Sequence, residues 1–139
     1  MTDLWPDDIP TYTNLKPPVA ILKEQGALLG GKTSNLVEGV VNTASSSDGA
    51  FSASFLILGT AINYSYKLLS MSHSIDMYPL TITTDGDILE KLPAEMKDKD
   101  DKLVADSEAK FMEILKAIFA TQKVRKVIEA IIALSGVGI

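Results

Sequence analysis

Four apolar runs lie between residues 34 and 84, and the links between them are too short to carry the chain across a sheet. The runs are 34–43, 51–59, 62–71 and 79–84. A parallel return needs roughly a dozen residues of crossover, whereas antiparallel neighbours need only a turn. The links here are 44–50, 60–61 and 72–78, and the first is dense in Ser, Asp and Gly. Strands joined in this way pair as an antiparallel meander. Residues 51–59 are apolar on both faces, which predicts a central strand. Residues 62–71 alternate, with Ile62, Tyr64, Tyr66 and Leu68 on one face and Asn63, Ser65 and Lys67 on the other. Pro79 suits a strand start or an edge.

Helical patterns flank this core. Pro17 and Pro18 fit the first turn of a helix over 17–29, with Leu15, Val19, Leu22 and Leu29 near one face. Gly30 and Gly31 follow, as expected past a helix end. Near the other end, Phe111, Ile114, Leu115, Ile118 and Phe119 recur at the spacing of an amphipathic helix. Asp106 or Ser107 can cap its start, and Glu108 suits its dipole. Thr121 breaks the pattern, which Val124, Val127, Ile128, Ile131 and Leu134 resume up to Gly136. Between strands and helices, Asp85-Gly86 reads as a turn, Ile88, Leu89 and Leu92 as a short helix ending near Pro93, and the charged run 95–102 as a solvated loop. Residues 1–16, with Pro6 and Pro10, read as an extended arm that the lone Trp5 anchors on the body. The expectation is a single α+β domain over 1–139. It has one N-terminal helix, a four-stranded antiparallel meander, and two C-terminal helices packed on the sheet.

Composition narrows the functional classes. A chain of 139 residues with 46% hydrophobic and 22% charged residues suits one globular domain. Without cysteine there are no disulfides, thiolate nucleophiles or thiolate metal sites. The net charge of −5, with one basic cluster at Lys123, Arg125 and Lys126, argues against a nucleic-acid partner. No apolar stretch approaches the ~20 residues of a membrane helix, and the start lacks the layout of a secretory signal. The expected location is cytoplasmic, with no membrane partner.

One segment matches a functional pattern. Residues 26–33, Gly-Ala-Leu-Leu-Gly-Gly-Lys-Thr, fit the phosphate-binding form G-x-x-x-x-G-K-[ST]. Such a loop aims backbone N–H groups at phosphates, and its Lys and Thr reach the terminal phosphate and Mg²⁺. The pattern requires a strand before it and a helix after it. Here the preceding residues read as helix and the following ones as strand, so nucleotide binding through Lys32 and Thr33 ranks last of three readings.

Other candidates are sparse. His73, the only histidine, has Ser72, Ser74 and Asp76 nearby, but a triad needs convergence in space rather than adjacency in sequence. One His and no Cys leave no ordinary zinc set, and the Asp groups at 85–87 and 98–101 lack the remaining ligands of a calcium loop. No metal or cofactor is expected. Tyr64, Tyr66, His73 and Tyr78 are candidates to line a pocket for a small apolar ligand, or else they pack as core. The C-terminal stretch 127–139 is nearly all apolar, so Val127, Ile128, Ile131, Ile132, Val137 and Ile139 are candidates for a homodimer interface.

The chain also resembles small uncharacterised bacterial proteins, some encoded on mobile, integron-type gene cassettes. The resemblance rests on Trp5-Pro6, Pro10-Thr11, Ile21-Leu22-Lys23-Glu24-Gln25, and Tyr78-Pro79 after the strand with Tyr64 and Tyr66. It implies a bacterial source and brings no activity or functional residue. The first expectation for function is therefore a non-catalytic binding or interaction protein forming a homodimer. The second is a small-ligand binder or enzyme using Tyr64, Tyr66 and His73.

Overall fold

The computed structural model describes residues 1–45 and 48–136. Helix α1 (Pro18–Lys32) opens on Pro17 as its N-cap and Pro18 in its first turn. It runs past Gly30 and Gly31, three residues beyond the expected end, because Thr33 provides the stop. The Thr33 hydroxyl lies 3.0 Å from the Leu29 carbonyl and 2.9 Å from the Val37 carbonyl, and accepts the Val37 N–H at 3.1 Å. Ser34 and Asn35 then adopt left-handed backbone (φ 52° and 65°) and reverse the chain.

The strands are β1 (Glu38–Ser45), β2 (Phe51–Gly59), β3 (Tyr64–His73), β4 (Leu80–Thr84) and β5 (Leu103–Ala105). Among the described residues they form one antiparallel sheet in the order β1-β2-β3-β4-β5. The architecture is the expected α+β meander, with one strand more than the sequence predicts. β5 is only three residues long, too short for a period of two to register. It is a strand because Leu103 and Ala105 pair with Ile82 and Leu80 and bury beside them. Short helix α2 (Gly86–Leu89) and a tight turn at Ala94–Met96 fill the connection from β4. The charged run before β5 is a closed turn rather than a loose loop. The Asp98 carboxylate accepts the N–H groups of Asp100 (2.8 Å) and Lys102 (2.9 Å), which holds its pKa below the usual carboxylate value.

The helices cover one sheet face. Ala53, Phe55, Ile57, Met71 and Ile82 point into the core, which α3 (Glu108–Phe119) closes with Phe111, Ile114, Leu115 and Ile118. Ser107 caps α3 by accepting the Lys110 N–H at 3.1 Å. Helix α4 (Gln122–Gly136) follows after Thr121, whose hydroxyl donates to the Ile118 carbonyl at 2.8 Å. The opposite sheet face carries a Ser/Thr ladder, with the paired Ser54 and Ser70 hydroxyls 3.2 Å apart, and none of the described helices covers it. No helix among the described residues is long and apolar enough to cross a membrane.

Two departures from regular geometry set how the layers fit. The first is a bulge in β3. Across β2, Phe55 pairs with Leu69 and Leu56 with Lys67, so Leu68 has no opposite residue. Leu68 and Leu69 are both 1% exposed. Tyr64, Tyr66 and Leu68 therefore share the helix-covered face with Leu69, Met71 and His73. The second is the contact of α1 with β1. A Cβ on Gly39 would lie 2.6 Å from Gly26 Cα and would also enter the Phe55 ring. Both positions require glycine so that helix and strand backbones can touch.

The N-terminal arm departs from expectation. Residues 1–16 are exposed throughout, and Trp5 is 74% exposed rather than anchored. Pro6 and Pro10 lack the N–H donors with which an added strand would pair, and Lys16 ties only the arm's base to Glu24 at 2.8 Å.

Alanine at two helical glycines gives opposite outcomes. Gly31 has open space around it, so Gly31→Ala gains about 0.5–1 kcal/mol from helix propensity. Gly26→Ala meets β1 backbone and loses about 1–3 kcal/mol despite that propensity. Urea denaturation of both variants checks the sign, and equal stabilisation of both would refute the close contact.

Candidate binding site

The bulge in β3 brings Tyr66 against the start of α2. The Tyr66 hydroxyl donates to Asp85 Oδ2 at 2.9 Å. Asp85 is also the N-cap of α2 and accepts the Asp87 N–H on Oδ1 at 2.8 Å. Lys123, in the first turn of α4, reaches both acids, at 3.9 Å from Asp85 and 3.7 Å from Asp87. Burial, reinforced by the Asp85 carboxylate, pushes the Tyr66 hydroxyl well above its ordinary pKa. The Asp87 N–H, then the Tyr66 hydroxyl, holds Asp85 below the usual carboxylate range. Tyr66 is thus a fixed donor and Asp85 a fixed anion across neutral pH. Neither is poised to exchange a proton, and the Tyr66–Asp85 bond ties the start of α2 to the sheet.

Next to it runs a groove of about 370 Å³ between α4 and the turn Thr60–Ile62. Its floor is apolar, with Tyr64, Val127, Ala130 and Leu134. Among the described residues, Lys123 and Lys126 are its only charged lining residues. Gly59 lets α4 sit close here, since a Cβ would meet Ile131 Cγ2 at 2.6 Å.

His73 lies at the far end of β3 from Tyr64, nine residues or roughly 30 Å along the strand. One pocket cannot hold both. The imidazole stacks on Phe51 (centroids 5.7 Å apart, 21° between planes), and its Nδ1 lies 2.6 Å from the Ser74 carbonyl. It borders a separate apolar hollow with Pro17, Val19, Ile75 and Met77. Tyr78 packs against the core elsewhere. Its hydroxyl is buried with no hydrogen-bond partner among the described residues, and burial raises its pKa.

The apolar residues of α4 divide between core and surface. Ile131 is 1% exposed in the core, and Val127 and Ile128 are half-buried against it. Ile132 and Leu134 remain exposed. Val137 and Ile139 lie outside the described residues. The phosphate-loop match falls inside α1, where backbone N–H groups are spent on helix bonds and Thr33 caps the end. A third hollow, about 600 Å³, separates α1 from α3 beside Ile21, Leu115 and Phe119. The Tyr66–Asp85–Lys123 cluster joins residues far apart in sequence, and only the Asp85-Gly86-Asp87 capping pattern signalled part of it.

Comparison with protein-family models, with curated proteins and with solved structures finds no match.

Asp85→Ala removes a cap and costs about 1 kcal/mol at pH 7. A carboxylate whose pKa is depressed by folding stabilises above its unfolded value of about 3.9 and loses that contribution as pH falls through the folded value. The deficit of Asp85→Ala therefore narrows toward pH 3, as urea midpoints across pH 3–7 would register, and a constant deficit would contradict the ionic role. Tyr78→Phe removes a buried hydroxyl without a partner among the described residues, so in thermal melts the variant is as stable as wild type or more stable, by about 1 kcal/mol at most. A marked loss would reveal a partner for that hydroxyl.

Proposed function

We propose that this protein is a non-catalytic interaction protein that works as a homodimer. The observation that carries this reading is the arm, which holds Leu4, Trp5, Ile9, Tyr12 and Leu15 in solvent. Apolar and aromatic side chains displayed together on an exposed segment gain free energy when a second surface covers them. Tryptophan and tyrosine are also the residues that most often dominate binding energy at interfaces. The titratable side chains point the same way. His73 is engaged with Phe51 and Ser74, and Tyr66 with Asp85 at the other end of the strand. They are placed to hold structure rather than to share a substrate.

A second reading draws on the lysines of the α4 groove. A small apolar molecule bearing a carboxylate would set its chain on Tyr64 and Leu134 and its anion by Lys123 and Lys126. This is a ligand site of Tyr64 and its neighbours, without His73.

Sedimentation equilibrium of the full chain, against a variant lacking residues 1–13, tests the first reading. The expected result is a dimer that dissociates at least ~10-fold more readily without the arm, a change of about 1.4 kcal/mol. A monomer at every concentration would refute it. A small molecule retained in native mass spectra of such a monomer would favour the second reading.

A further inference from the structure

We infer that the α4 groove of one copy receives the arm of the other, residues 4–8, with the two arms exchanged about a two-fold axis. This rests on the homodimer reading and names the surfaces that make it. The chemistry of the two parts is complementary. The groove has an apolar floor, and the charges on its rim among the described residues are Lys123 and Lys126. The arm places Leu4 and Trp5, both exposed, next to Asp7 and Asp8. Apolar residues meet the floor, and an acidic pair meets the lysines.

The spacing agrees as well. Trp5 and Asp8 are three residues apart, and the turn at Asp7–Asp8 must straighten on docking to bring their separation to about 10 Å. Ala130 and Leu134 lie four and eight residues beyond Lys126, about 6–12 Å along a helix. The match holds if the arm runs antiparallel to α4, with Trp5 toward Leu134 and Asp8 toward Lys126. Pro6 restrains the backbone between the apolar and acidic pairs, so less entropy is lost when the segment docks.

The occupant is a second copy rather than the same chain. The arm leaves the body at Pro17, which borders the hollow at the His73 end of β3. The groove borders Tyr64, roughly 30 Å away along the strand. Trp5 is twelve residues before Pro17, about 40 Å at full stretch, and its own route would have to pass over the helix layer. Exchange needs no such stretch when the two-fold axis sets the Pro17 end of one copy beside the Tyr64 end of the other. It also fills both grooves with both arms and closes the assembly.

Charge reversal in two separate variants tests this. One carries Asp7→Lys and Asp8→Lys, so its arm repels its own groove. The other carries Lys126→Glu, so the position that meets the acidic pair turns from attractive to repulsive. Each alone dissociates at least ~10-fold more readily than wild type by sedimentation equilibrium, and an equimolar mixture restores the dimer, because the reversed arm then faces the reversed position 126 and the unaltered arm faces Lys126. Fluorescence of the single Trp5 shifts to the blue in the wild-type dimer and in the mixture, and to the red in each variant alone. A wild-type dimer that tolerates both reversals would overturn the arm-in-groove contact and leave the homodimer standing. A wild-type monomer whose Trp5 emission still responds to Lys126→Glu, independently of concentration, would place the arm in its own groove and overturn the exchange. A monomer without that response would overturn the contact and the homodimer together.

Discussion

The layers of this protein are fixed by a contact that contains no side chain on either partner. Gly26 in α1 meets Gly39 in β1, and the Phe55 ring fills the space beneath them. Helix propensity disfavours glycine at the first position, and strand propensity disfavours it at the second. The penalties are offset because the helix can lie directly on the edge strand, burying Ile21, Leu22 and Val37 between them. With α1 held against β1, α3 and α4 cover the rest of the same face. The hollow beside Phe119 is where the two helical groups do not quite meet.

The bulge at Leu68 is the second constraint. A strand presents alternate residues to one face, so two adjacent leucines cannot both reach the core without an extra residue in the ladder. The irregularity lets β3 carry two apolar sets in different registers. One, Leu69 and Met71, sits in the core. The other, Tyr64 and Tyr66, reaches toward α4 and α2. Without the bulge, one set would face the open, Ser/Thr-lined side of the sheet.

Most of the architecture was legible in the sequence because it depends on local periodicity and on link length. Four of the five apolar residues in the α3 repeat are buried and the fifth, Phe119, is half-buried, and Ser107 caps the helix as its position predicts. Residues 51–59 form a strand over those same positions. What escaped depends on pairing across the chain. Three residues at 103–105 carry no period, and a Leu-Leu doublet at 68–69 does not announce a bulge. Gly39 inside a strand pattern was a usable sign of close backbone approach. Trp5 was misread because a lone tryptophan is usually buried, whereas here the proline-punctuated arm holds it away from the body. The Tyr66–Asp85 bond spans nineteen residues and joins two segments by tertiary contact alone.

The groove and the sheet are joined through few atoms. Lys123 stands on the groove's rim and also faces Asp85 and Asp87, and Asp85 in turn holds the Tyr66 hydroxyl on β3. An acidic group arriving at Lys123 competes with those two carboxylates for one ammonium. Lys126 meets no such competition in the ion pairs of the described residues, so a docking anion gains more there. Lys123 is partly exposed, so its pairs are screened and each contributes little to stability. The same screening lets Lys123 turn toward an incoming acid without weakening the Tyr66–Asp85 bond. The rim thus adapts to an occupant while the sheet beneath it stays in place.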